Sequence, residues 1–126
     1  MEIKLTTKEI KYGGIVNSNI FIIKKIDELG LNKRYLGYFM LVEILNVLIN
    51  QECNMFYSFS QKLYPQVAIM FNKTPCTVER NIRNLIDKCW SKTLMIKLNM
   101  NLENGAKPKC RDFIFAVKTY LENQIF

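Results

Sequence analysis

The sequence contains no histidine in its 126 residues. Histidine is the commonest general base and metal ligand, and it is the usual partner of a nucleophilic serine or cysteine. The cysteines stand singly and form no C-x-x-C pair: Cys53, Cys76, Cys89 and Cys110. This pattern indicates neither a zinc site nor a secreted disulfide framework, so we expect reduced, mostly buried thiols. We therefore predict a protein that is not an enzyme and that uses no cofactor or metal.

Long hydrophobic runs are also missing from the sequence. The longest apolar stretch, residues 36–49, is interrupted by Glu43 and Asn46. It is shorter than the roughly 20 residues of a membrane-spanning helix, so we interpret it as a core helix. We recognise no signal peptide, internal repeat, low-complexity tract or proline-rich linker. These absences predict a cytoplasmic protein without membrane contact.

The sequence does contain an excess of basic residues and enough apolar residues for one core. Lysine and arginine number 18 against 11 acidic residues, which gives a formal charge of +7, and 49% of the residues are hydrophobic. A basic surface favours a polyanionic partner, either nucleic acid or an anionic membrane surface. Many ordinary soluble proteins are equally basic, so the charge alone does not decide between partners.

Apolar residues recur at helical spacing along most of the chain, which predicts an all-α, compact bundle of about six helices. We expect helices over residues 18–29, 35–50, 57–64, 65–71, 75–91 and 109–123, and a helical or irregular segment over 94–102. The long second helix should be the most buried element, with Leu36 and Phe39 among its core residues. Residues 1–16 form an N-terminal arm, whose pattern fits a strand or a helix equally, and residues 17–126 form the domain.

A strong helix start lies at Thr74 and Pro75, directly after a tight polar turn. Threonine is a preferred N-cap, and proline is favoured at the first helical position. The apolar residues that follow share one stripe of the helix: Val78, Ile82, Leu85, Ile86 and Cys89. A short helix, a tight turn and a longer capped helix with a polar outer face predict a helix-turn-helix, here between Gln66 and Ser91.

The polar face of this capped helix carries side chains that suit a DNA duplex. Arginine donates two hydrogen bonds to guanine, glutamate accepts from the cytosine amino group, and threonine contacts bases or phosphates. We therefore expect Thr77, Glu79 and Arg80 to read bases. The side chains expected to bind phosphates are Lys73, Arg83 and Asn84. A polar row is also common on merely solvated helices, and corners of two helices occur in many non-binding proteins, so the pattern leaves both interpretations open.

The identities of the residues in and around the helix-turn-helix favour DNA binding over a merely solvated face. The segment from Leu63 to Ser91 includes the triplet Val78-Glu79-Arg80 and the pair Trp90-Ser91, and Ala106-Lys107-Pro108 follows. This sequence closely resembles the DNA-binding effector domain of stage zero sporulation protein A, and the resemblance covers about 100 residues from Ile22 onward. It implies a six-helix domain that binds a short DNA element, often as tandem copies arranged head to tail. It also implies that Glu79 and Arg80 read bases and that Arg83 and Lys107 contact the DNA backbone.

Three departures from the family limit what the resemblance implies. Thr77 stands where the family carries an arginine, so one guanine contact should be lost or replaced. The segment from Thr93 to Gly105, a region that the family associates with polymerase contact, is shorter and different, which puts transcription activation in doubt. The residues before Tyr35 leave no room for the family's phosphorylated receiver domain. We therefore expect a stand-alone effector domain that is not switched by phosphorylation.

Together these features predict a sequence-specific transcription regulator that binds double-stranded DNA and acts in sporulation or stationary-phase gene control. Its expected assemblies are a homodimer or a tandem dimer on DNA, and its expected protein contacts are RNA polymerase or a sporulation regulator. One alternative stays open: a protein-interaction module of the same fold that modulates a full-length sporulation regulator without reading DNA. Thr77 and the altered segment after Thr93 favour that alternative.

Overall fold

The computed structural model of the chain describes residues 18–51, 57–103 and 105–123. Within these ranges the chain forms six α-helices, one π-helical turn and no strand. The α-helices are α1 (Ser18–Glu28), α2 (Leu36–Asn50), α3 (Tyr64–Met70), α4 (Pro75–Cys89), α5 (Lys92–Lys97) and α6 (Cys110–Asn123), and the π-helical turn is Phe59–Leu63. The prediction of a compact all-α bundle is confirmed. The N-terminal arm, residues 1–16, lies outside the described residues.

Helix α2 is the central element of the bundle, as predicted from its apolar composition. It contacts α1, α3, α4 and α6, and ten of its residues are buried. The expectation that Leu36 and Phe39 belong to the core is wrong, because their side chains are 38% and 44% exposed. The Phe39 ring packs edge-on against buried Tyr38. An almost wholly apolar helix gives no periodic signal for its exposed side.

The predicted helix-turn-helix is present as α3 and α4. A helix over residues 57–64 was expected before it, and this segment instead forms the π-helical turn, capped by the Ser58 hydroxyl, which accepts from the Gln61 N–H. Asn72 adopts a φ of 54°, and the Lys73 N–H donates to the Ala68 carbonyl at 2.9 Å. This left-handed residue reverses the chain tightly after α3. Thr74 then caps α4 and Pro75 begins it, as the sequence predicted.

The C-terminal part of the chain consists of a short helix, an irregular segment and a last helix that packs on the bundle. The ambiguous segment after Ser91 begins with the short helix α5, whose first turn is capped by the Ser91 hydroxyl, and it becomes irregular after Lys97. Helix α6 packs on α1, α2 and α4 through four buried side chains: Phe113, Ile114, Val117 and Leu121. No helix in the described ranges is both long and apolar enough to cross a bilayer.

Candidate nucleic-acid interface

Helix α4 has one buried stripe and one polar face. Four side chains of the stripe are buried: Val78, Ile82, Leu85 and Ile86. The exposed residues of the opposite face are Cys76, Arg80, Arg83, Asn84, Asp87 and Lys88. The stripe packs α4 onto α2, α3 and α6, so the polar face is held outward on a rigid helix. The expectation of mostly buried cysteines is wrong for Cys76, which is exposed, while Cys89 and Cys110 are half-buried. Cys53 lies outside the described residues.

Arg80 lies near the middle of the polar face, opposite the buried stripe. Its side chain is exposed and makes no ion pair with any residue in the described ranges. An unpaired guanidinium keeps its full set of N–H donors free for an external acceptor. Of the three predicted base-reading residues, Arg80 is therefore the one best placed to bind an acceptor without breaking a contact in the protein.

Glu79 lies on the flank of α4 that faces α6, and its carboxylate is already engaged. The Arg83 guanidinium donates from Nη2 to Glu79 Oε1 at 2.6 Å, across one turn of the helix. The side chains are 42% and 61% exposed, so both groups still reach solvent. On the backbone of the same residue, the Cys110 thiol donates to the Glu79 carbonyl, with 3.9 Å between Sγ and O. Glu79 is therefore fixed at its backbone and at its carboxylate.

Thr77 lies on the other flank of α4 and takes part in the N-terminal cap. Its N–H donates to Thr74 Oγ1 at 3.2 Å, and the two threonine hydroxyls share a hydrogen bond of 2.8 Å. Its carbonyl accepts from Asn81 Nδ2 at 2.8 Å. The residue is half-buried, and its hydroxyl has a partner inside the protein. Thr77, Arg80 and Glu79 thus lie on one helix but on different sides of it. Arg80 is on the polar face, and the other two are on opposite flanks.

Lys107 lies beside the C-terminal half of α4, although it is distant in sequence. Its ammonium lies 3.4 Å from Asp87 Oδ1 and 3.5 Å from the Asp87 carbonyl oxygen. The segment that carries Lys107 is anchored by Trp90, whose indole N–H donates to the Ala106 carbonyl at 3.2 Å. Lys73 is exposed just before the N-cap of α4. The two lysines therefore lie at opposite ends of the polar face, with exposed Asn84 between them.

A groove of about 810 Å³ runs along the Glu79 flank, between α4, the π-helical turn and the start of α6. Its lining includes Tyr64, Arg83, Lys109, Cys110 and Arg111. Burial raises the pKa of the Cys110 thiol, an effect that the nearby Arg83 guanidinium partly offsets. Burial likewise raises the pKa of the Tyr64 hydroxyl. Both groups therefore stay neutral at physiological pH. The charges in the groove come from its glutamate, aspartate, lysine and arginine side chains.

Sequence reasoning missed Arg111, a basic side chain of this groove that contacts two aromatic rings and a backbone carbonyl. Its guanidinium lies 4.9 Å from the centre of the Phe59 ring and 5.3 Å from that of Phe115. It also donates to the Tyr57 carbonyl at 3.2 Å. Stacking on aromatic rings fixes an arginine and limits its reach toward other partners. The spacing of Arg111 and Phe115, one helical turn apart, is the sequence signal that could have indicated this contact.

The comparison with known protein families agrees with this geometry. The family model described as Sporulation initiation factor Spo0A C terminal matches residues 22–121 of the chain. The matched region begins within α1, ends within α6 and contains the whole of α4. The family is a DNA-binding regulatory domain of a sporulation transcription factor. The chain therefore belongs to the family of C-terminal domains of the sporulation initiation factor Spo0A.

Proposed function

We propose that this protein is a sequence-specific transcription regulator that reads double-stranded DNA by placing α4 in the major groove. The observation that carries the proposal is Arg80, which is exposed and has no ion pair within the described residues, in the middle of the polar face of a capped helix in a chain of a DNA-binding family. The B-DNA major groove admits one α-helix, and the second helix of a helix-turn-helix normally reads base edges there.

Arg80 and Glu79 are the proposed base-reading residues. The exposed guanidinium of Arg80 matches the two acceptors that guanine presents in the major groove, and the Glu79 carboxylate matches the cytosine amino donor. Thr77 is the third proposed reader, and its role is more limited because its hydroxyl is already bonded to Thr74. Its methyl group remains suited to an apolar contact with thymine.

Four further side chains are the proposed phosphate contacts: Lys73, Arg83, Asn84 and Lys107. Lys73 and Lys107 lie at the two ends of the polar face, as contacts to the backbones on either side of a groove require. Arg83 keeps donors free beyond the one it gives to Glu79. Asn84 is exposed one turn beyond Arg80. Such contacts orient a protein on the duplex and add salt-dependent affinity without reading sequence.

The direct test is selection from a pool of randomised duplexes, followed by binding isotherms at moderate salt with excess competitor DNA. The proposal predicts that a short motif is enriched and that it binds at least about a thousandfold more tightly than scrambled duplex. Enrichment of no motif would contradict it. Formation of a dimer or of tandem copies, contact with polymerase, and action without phosphorylation stay predictions, which the same motif would make testable on promoter DNA.

A second candidate function is that of a module that binds a sporulation regulator without reading DNA. The observation in its favour is the exposure of large apolar side chains: Ile69 is 81% exposed, Met70 52% and Ile96 64%. Contiguous exposed apolar groups, such as the neighbours Ile69 and Met70 of α3, commonly mark protein contact surfaces. Failure of the duplex selection, together with binding of the chain to a full-length sporulation regulator in solution, would place this function first.

A further inference from the structure

The ion pair of Glu79 and Arg83 has a geometry that can hold the Glu79 carboxylate in one orientation. The two residues are one helical turn apart with the acid toward the N-terminus, which is the favourable order for such a pair. The hydrogen bond of 2.6 Å is short, as expected where both groups are charged. Half-exposed pairs of this kind contribute little to folding stability, so stability alone does not account for it.

Two other charged side chains near this ion pair have partners of their own, so they do not compete for Arg83 or Glu79. Asp87 lies one turn beyond Arg83 and would compete for its guanidinium, but the Lys107 ammonium occupies Asp87. Arg111, a second cation in the same groove, is held by two aromatic rings and a backbone carbonyl. This side of α4 thus carries two separate ion pairs, Glu79 with Arg83 and Asp87 with Lys107.

We propose that Arg83 is a specificity-determining positioning residue, which acts on base readout through the Glu79 carboxylate. The proposal rests on the proposed function, because it requires that Glu79 reads a base. A free carboxylate next to the polyanionic backbone is repelled and rotates away, whereas a carboxylate paired with Arg83 is partly neutralised and fixed. One Glu79 oxygen is held by Arg83, and the other is left to accept from a cytosine amino group. Arg83 keeps further donors for a phosphate.

This role predicts a pattern that a simple phosphate contact does not give. A phosphate contact contributes affinity on every sequence and leaves base preferences unchanged. A positioning residue alters the preference at the base pair that its partner reads. Removing Arg83 should therefore reduce the preference at the base pair read by Glu79 and leave the preference at the base pair read by Arg80 intact.

The experiment measures binding isotherms on the selected duplex and on all of its single-base variants. The variants are Arg83→Gln, Arg83→Lys, Glu79→Ala and the double variant Glu79→Ala/Arg83→Gln. The matched control is Lys88→Gln, which removes one exposed positive charge from the same helix. Thermal unfolding followed by circular dichroism confirms that each variant is folded. Because the side chains of Glu79 and Arg83 are 42% and 61% exposed to solvent, we expect all of these variants to fold.

We expect Arg83→Gln and Glu79→Ala to reduce the preference at the same base pair by about fivefold or more, and the double variant to add no further loss there. Arg83→Lys should retain most of the preference, because lysine can pair with Glu79 at the same spacing. Lys88→Gln should retain all of it. Full preference in Arg83→Gln, with loss in Glu79→Ala, overturns the positioning role alone. A wild-type protein without any base preference overturns the proposed function and this role with it.

Discussion

Gly37 of α2 packs directly against the peptide carbonyl of Asn81 in α4. A β-carbon at Gly37 would lie 2.9 Å from the Asn81 carbonyl carbon and 3.1 Å from Leu85 Cβ, and closer still to the Asn81 carbonyl oxygen. Real side-chain atoms are not found that close to backbone, so only glycine allows the two helices this approach. The contact fixes the central turn of α4, which carries Arg80, against the central helix of the bundle.

Replacing Gly37 with alanine should destabilise the protein by about 1–3 kcal/mol, because the added methyl group forces α4 away from α2. Alanine favours helix formation by about 1 kcal/mol over glycine, so a net loss identifies the collision as the cause. Urea unfolding measures the free-energy change. Thr119→Ala, at an exposed position of α6, is the control and should change stability by about 0.5 kcal/mol or less. Equal or greater stability of Gly37→Ala would contradict the close packing.

Stability should fall as the pH rises above about 10. Burial, together with the hydrogen bond of 2.6 Å to Asp27, raises the pKa of Tyr38 above its usual 10.0, and burial also raises that of Tyr64. Below pH 10.0 both tyrosines are protonated in the folded and unfolded chains, so their contribution is fully present. Above it the unfolded chain loses protons first, and the unfolded state is favoured.

The measurement is urea unfolding of the wild type and of Tyr38→Phe between pH 7 and pH 11. Tyr38→Phe should lose about 1 kcal/mol at neutral pH, because its hydrogen bond to Asp27 is removed. Its stability should also decline less steeply above pH 10, with a residual decline from Tyr64. The same decline in both proteins would contradict the assignment to Tyr38.

Lys73→Gln should weaken binding to cognate and scrambled duplexes about equally. Lys107→Gln should weaken binding to both, and more on the cognate duplex, because Asp87 is then free to compete with Glu79 for Arg83. Each neutralised phosphate releases about one counterion, so each substitution should reduce the slope of log affinity against log salt by about one unit. Isotherms at several salt concentrations measure the slope. Lys24→Gln is the control, because this exposed lysine lies on α1, which packs on α2 and α6. An unchanged slope in either variant would exclude that lysine as a phosphate contact.

Thr77→Arg introduces the arginine that the family carries at this position, and it should tighten binding to the family's DNA element. The substitution removes the bond between the two threonine hydroxyls but keeps the cap from Thr74 to the residue 77 N–H. Stability should therefore change little, while a new guanine preference appears at the adjoining base pair. Selection of preferred duplexes by both proteins makes the comparison. Identical preferences would show that residue 77 does not face the bases.

Local signals made α4 predictable from sequence, while the contacts on its flanks were not. Thr74 and Pro75 fix the helix start through their own chemistry, and the apolar stripe fixes its buried side. The ion pair of Lys107 with Asp87 and the approach of Gly37 to Asn81 depend on how distant segments pack, which no local pattern encodes. The exposure of Leu36 and Phe39 was missed for the same reason, since it depends on which side of α2 its neighbours cover.

The base preference of Arg80→Ala tests the central claim most directly. Isotherms are measured for the wild type and the variant on the selected duplex, on its single-base variants and on scrambled duplex. If Arg80 reads a guanine edge, the variant should lose about 1–3 kcal/mol on the selected duplex and its preference at one base pair, with little change on scrambled duplex. If Arg80→Ala binds every duplex as the wild type does, α4 is not the element that reads DNA.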